Sequence, residues 1–170
     1  MTTENIYQLT VTMPSDREFS MKRAFDAPRN LVFQAFVDPE LIPRWWGQRT
    51  STTVIDALDA QAGGKWRFVE HSADGNEYAF RGEFREVTPP ERIVWTFEFE
   101  GMPGQVLTET MQFTESDGIT TITSTSLFDS TEARDGMVNS GMESGAAESY
   151  DRLAELLTTL QRASRERSTQ

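Results

Sequence analysis

Cysteine is absent from this 170-residue sequence, and histidine occurs once, at position 71. The first absence excludes disulfides, thiol catalysis and thiolate metal sites together. The second leaves any serine or metal chemistry dependent on His71 alone, too little for a metal site without a second ligand of that kind. No stretch approaches the roughly 20 apolar residues that span a bilayer. The opening Met1 to Ile6 lacks a basic region followed by an apolar run, so no secretory signal is expected. Cations are also scarce. Sixteen Lys plus Arg stand against 27 Asp plus Glu, a net charge of −11. That balance opposes nucleic acids and anionic membrane surfaces, which need clustered cations. It favours solubility, and the expected compartment is the cytoplasm.

What the chain does have is a globular composition and an excess of rings. Hydrophobic residues make up 37% and charged ones 25%, with 11 Phe, 4 Trp and 3 Tyr. The length suits one domain of ordinary size. Most of the rings sit on alternating segments, which predicts a sheet with one aromatic face.

Ile6 to Met13 alternates weakly, Pro14-Ser15-Asp16 reads as a turn, and Glu18 to Phe25 as a strand, so the two can form a hairpin. Pro28 suits the first position of a helix bearing Val32, Ala35 and Phe36 on one face. Asp38 and Pro39 then announce a second short helix, with Leu41, Ile42, Trp45 and Trp46 buried and Gly47 ending it. From Thr52 to Leu127 the period is two. Six strands are predicted: 52–58, 65–72, 78–87, 92–100, 106–114 and 119–127. Their connections are the turn residues Gly63-Gly64, Asp74-Gly75-Asn76, Pro89-Pro90, Gly101 to Gly104 and Asp117-Gly118. A short helical piece around 130–138 precedes a long helix over 140–162, whose stripe is Met142, Ala146, Tyr150, Leu153, Leu157 and Leu160. The class is α+β, in the order β-α-α-β6-α. Residues 1–17 read as an N-terminal extension with room for an extra strand, 18–162 as the single domain, and 163–170 as a polar tail. One apolar sheet face needs covering, and the long helix is the element able to do it.

The runs Phe25-Asp26-Ala27-Pro28, Asp38-Pro39-Glu40-Leu41-Ile42-Pro43-Arg44-Trp45-Trp46-Gly47 and Gly63-Gly64-Lys65-Trp66-Arg67-Phe68 resemble one family closely. So do Asp74 to Phe84 and Pro89 to Phe97. That family is the bacterial branch related to the activator of heat-shock protein 90 ATPase, within the SRPBCC superfamily of START, polyketide cyclase and pollen-allergen-like proteins. The resemblance implies a helix-grip fold: a curved antiparallel sheet wrapped around the C-terminal helix, with a cavity between them. The superfamily places lipid carriers, ligand receptors, cyclases and co-chaperones on that scaffold.

The candidate cavity walls are Trp66, Phe68, Phe80, Trp95 and Phe97, with Met111 and Met142. Of Trp45 and Trp46, one ring is expected to cap the core and the other to line the cavity. Glu109 is the sharpest single signal, because alternation places its carboxylate with Leu107, Met111 and Phe113. Desolvation there raises a carboxyl pKa, which suits an acid, a base or a hold on a ligand's polar end. Ser124 and Ser126 offer hydroxyls to the same space. Gly141, Gly145 and Ala146 leave room near the start of the long helix. Members of the family often carry a bulky aromatic near Ala146, so its small side chain implies a larger cavity.

The expected function is binding of a small apolar or lipid-like molecule, with no cofactor and no metal. A co-chaperone docking on a heat-shock protein 90 type partner is the alternative. The eukaryotic activator's additional N-terminal domain is missing from this sequence, which weighs against it. A cyclase-like or hydrolytic enzyme using Glu109 is the third reading. The N-terminal hairpin or an exposed sheet edge could support a homodimer.

Overall fold

Strands form where β-branched and aromatic residues alternate with polar ones, and the computed structural model, which describes residues 5–168, has eight. They are β1 (Thr10–Thr12), β2 (Glu18–Phe25), β3 (Thr52–Leu58), β4 (Lys65–His71), β5 (Glu77–Thr88), β6 (Arg92–Phe99), β7 (Val106–Ser116) and β8 (Ile119–Leu127). All pair antiparallel in one sheet, ordered β1-β2-β8-β7-β6-β5-β4-β3. Between β2 and β3 the chain crosses from one side of the sheet to the other, and α1 (Arg29–Val37) fills that crossing. After β8 come α2 (Thr131–Asn139) and α3 (Met142–Ser168), the long helix held by the sheet. This is the helix-grip fold.

Register decides what faces the helix. One inward row runs Phe84, Trp95, Glu109, Ser126, Phe19, and the next runs Ile93, Met111, Ser124, Met21. The α3 side supplies Tyr150, Leu153, Leu156 and Leu157, all buried. Two apolar clusters result. The larger holds the tryptophans and most phenylalanines; the smaller is built on Phe19, Met21, Leu107 and Phe128. Phe97 and Leu9 pack against both.

Several expectations need correction. The helix predicted over 38–47 is a single 3-10 turn, Ile42–Arg44. Pro43 cannot donate a helical hydrogen bond, and Pro39 sits too close upstream for a longer α-helical ladder. Asp38 ends α1 instead of starting a helix, although its side chain accepts from the Glu40 amide at 2.8 Å. Pro28 is the N-cap of α1, one position before the predicted one. The first strand shrinks from 6–13 to β1. The long helix starts at Met142, two residues later than predicted, and passes Arg162 to reach Ser168, so most of the expected polar tail is helical. Basic side chains in its last turn, Arg165 and Arg167, suit the helix dipole there.

One glycine is essential to the inner face. The β5–β6 ladder parts between the Arg81↔Glu98 and Phe84↔Trp95 pairs. Across that gap the Trp66 indole N–H reaches the Thr96 carbonyl at 3.2 Å, and the Glu83 amide donates to Thr96 Oγ1 at 2.9 Å. Gly82 lies under the indole; a Cβ there would stand 1.9 Å from the Thr96 oxygen and 2.5 Å from Trp66 Nε1. Gly82→Ala is therefore expected to cost about 2 kcal/mol or more by overpacking, read as a lower urea midpoint with an unchanged slope. A loss within experimental error would mean that the gap is not needed.

Candidate functional site: an interior polar seam

The chain from Arg44 to Gln48 is irregular, and it is tied down from α3. The Arg152 guanidinium donates to the carbonyls of Arg44, Trp46, Gly47 and Gln48 at 2.9–3.2 Å. Ser149 Oγ accepts from the Gly47 amide at 3.1 Å, and Thr53 Oγ1 donates to the Trp46 carbonyl at 2.9 Å. Hydrogen bonds from a charged donor contribute about 1.5–3 kcal/mol each in favourable settings. Gly47 turns the chain at φ +92°, a conformation other residues rarely adopt.

This anchoring separates the paired tryptophans. Trp45 is buried, its indole N–H on the Ala35 carbonyl at 2.9 Å and its ring 4.7 Å from Phe36. Trp46 points under the sheet. Its ring lies within 5.1–6.5 Å, centroid to centroid, of Trp66, Phe68, Phe80, Trp95 and Phe97. Trp66 and Trp95 stack at 4.2 Å. The expected aromatic wall thus converges, and Trp46 fills much of the space it encloses.

Beside that plug the interior turns polar. The Trp95 indole N–H donates to Glu109 Oε1 at 2.7 Å, and the Ser124 hydroxyl donates to Oε2. Met111 lies across from Ser124 in the ladder, fully buried. Met142 and Ala146, on the first turns of α3, pack on the smaller cluster with Phe97. Glu109 lies deep in the molecule, where burial pushes its pKa up against the lowering from its two donors. No cation contributes to that balance. Yet Glu109 is only half-buried by accessible surface, as are Trp46, Phe80, Phe97, Met142 and Ala146.

Two further groups face this seam. Tyr150 is 6% exposed and Ser126 5% exposed, and neither hydroxyl has a hydrogen-bond partner among the described residues. Neither oxygen is sealed off, either. Burial, with the Glu109 charge second, pushes the Tyr150 phenol far up. Tyr150 was predicted only as part of the α3 stripe. Arg23 was missed, although it occupies the apolar phase of β2 between Met21 and Phe25. It is 7% exposed, donates to the Tyr7 and Tyr150 carbonyls at 2.8 and 2.5 Å, and meets Asp151 at 3.3 Å. An open cleft of 270 Å³ lies over it, lined also by Gln8, Leu9, Glu143, Ala147 and Asp151.

The remaining candidates stand apart. His71 is on the outer face, 3.3 Å from the Glu77 carboxylate. Among the described residues no three His, Asp or Glu side chains gather as metal ligands would, and no helix is long and apolar enough to cross a membrane.

With this geometry in place, the relatives can be compared. The family of activator of Hsp90 ATPase homolog 1-like proteins matches residues 26–158, and the chain belongs to it. A Rhodobacter sphaeroides crystal structure superimposes with a TM-score of 0.84 at 22% identity, covering 89% of this chain and 99% of its own. Protein Ms6760 from Mycobacterium smegmatis gives 0.80 at 25% identity, covering 88% and 96%. An HSP90 activator from Plasmodium falciparum gives 0.52 at 25% identity, covering 65% and 72%. A comparison with curated protein sequences finds no match. The family and superfamily resemblance read from the motifs is thereby established.

A carboxyl whose folded pKa lies above its reference of 4.5 binds more protons in the native than in the unfolded state as pH rises past that reference. Its contribution to stability is complete below that pH and is lost as pH rises through the raised value. Glu109→Gln should therefore gain stability relative to the parent as pH increases, by at most about 1.4 kcal/mol per unit. Urea denaturation of both proteins at pH 4.5, 6 and 8 measures the difference. A pH-independent gap would show that Glu109 is charged at no net cost.

Proposed function

We infer that this protein binds a small, largely apolar molecule between the sheet and the first turns of α3. The observation that carries this reading is Glu109: deep in the molecule, hydrogen-bonded by two neutral donors, and still keeping accessible surface. The apolar body lies along Phe97, Met142 and Ala146, beside the Trp46 plug. Its polar end meets Glu109, with the free hydroxyls of Tyr150 and Ser126 as further partners. A pocket of apolar walls with a few convergent polar groups is the usual design of a small-molecule site. Membership in a family whose superfamily includes binding and cyclase-like domains supports the same reading.

A co-chaperone role is the second reading, favoured by the likeness to the Plasmodium activator. It places function on the outer surface and makes it indifferent to the interior.

Native mass spectrometry of freshly purified protein, followed by organic extraction, tests the choice. A reproducible extra mass is expected, and Ala146→Phe, which adds a ring one helical turn from Met142, should remove it while circular dichroism stays unchanged. Retention of the mass in a folded Ala146→Phe protein would place any ligand elsewhere. A protein that is always bare would move the weight to the co-chaperone reading, where Ala146→Phe leaves partner binding intact.

A further inference from the structure

The polar end of the ligand can be specified further, on the reading that the interior holds one. Several buried or half-buried charges in this molecule carry their own counter-charge, while Arg152, Glu70 and Asp38 are met by neutral groups at the chain's edge. Arg23 has Asp151, and Arg67 has Glu100 at 2.7 Å and Asp56 at 3.3 Å. Arg81 has Glu98 at 2.8 Å. Glu109, the deepest of the shifted carboxylates, has only the N–H of Trp95 and the hydroxyl of Ser124. Taking a carboxylate out of water without a cation is costly, and donors of that kind offset only part of the cost.

The surroundings supply the second half of the recognition. Trp46, Phe80 and Phe97 each keep accessible surface, and Trp46 and Phe97 both touch the Trp95 ring that holds Glu109. Aromatic faces attract cations through their quadrupole, and more strongly where water is excluded. Glu109 stands opposite Trp95 in the ladder and one row from Phe97, a setting complementary to a positive centre with an apolar shell. The cleft over Arg23 lies along the neighbouring face of α3 and presents Glu143 and Asp151, which favours approach by cations. Arg23 does not cancel this, because Asp151 and two carbonyls already engage it.

We propose that the ligand is an organic cation, an ammonium or quaternary ammonium group on an apolar body, with its charge against Glu109 and its shell along Phe97 and the neighbouring Trp46 ring. The Tyr150 and Ser126 oxygens accept from an N–H where the ammonium has one.

Three probes of one shape and different charge test this: 2-phenylethylamine, 2-phenylethanol and phenylacetate, titrated into the full chain and followed by ¹H–¹⁵N NMR at the tryptophan indole signals. The amine is expected to bind about tenfold tighter than the alcohol, with phenylacetate weakest. Glu109→Gln should remove the amine's preference over the alcohol. Because a bound ammonium favours the charged carboxylate, the amine's advantage over the alcohol in the parent protein should also shrink as pH falls from 8 to 4.5, read by the same titrations. That measurement needs no variant. If the alcohol matches or exceeds the amine, or the amine preference survives Glu109→Gln, or that preference is the same at every pH, the cation assignment is overturned while the cavity stands. If none of the three probes shifts an indole signal, the cavity reading falls with it.

Discussion

The grip depends on one guanidinium. Arg152 gathers four carbonyls from the stretch that joins α1 to β3, where beyond the end of a single 3-10 turn the chain has neither helix nor strand to satisfy its backbone. Backbone acceptors near a protein interior need partners, and here the partner is a side chain on α3. The same bonds that satisfy this stretch also fix the direction of Trp46. With Trp46 under the sheet, the rings of β4, β5 and β6 have a common centre; without it they would line an open trough.

Glu109 follows from that arrangement. Trp95 stacks on Trp66 and has its indole N–H turned along the sheet, toward the residue opposite it on β7. Ser124 completes the second oxygen from β8. Neighbouring strands thus supply a donor to each oxygen, so the carboxylate is oriented by the ladder itself and not by a flexible loop. A group held in this way keeps its geometry when the side chains around it move.

Much of this was legible in the chain. β3 and β8 match their predicted spans because alternation there is bounded by strong turn residues, and Glu109 stood out because a charge in an apolar phase breaks the pattern. The 38–47 segment was misread because apolar spacing of three and four suggested a helix, while two prolines within five residues removed the means to propagate one. Arg23 carried the same signal as Glu109, a charge in the apolar phase of a strand, and was not singled out. The division of labour between Trp45 and Trp46 could not be assigned to either ring in advance. It is set by Arg152 and Ser149, which are distant in sequence, and adjacent residues give no local clue to which one a distant anchor will turn inward. The free hydroxyl of Tyr150 is likewise a tertiary fact: its place on the α3 stripe was plain, its missing partner was not.

Phe97 is shared by the two apolar clusters, and this makes it a common wall between two compartments. A wall of that kind transmits volume. If an occupant on the Met142 side presses the ring toward Trp46, the space on the other side contracts by the same amount, since close-packed interiors have little slack to absorb it. The two sides then behave as communicating vessels: what one gains the other gives up.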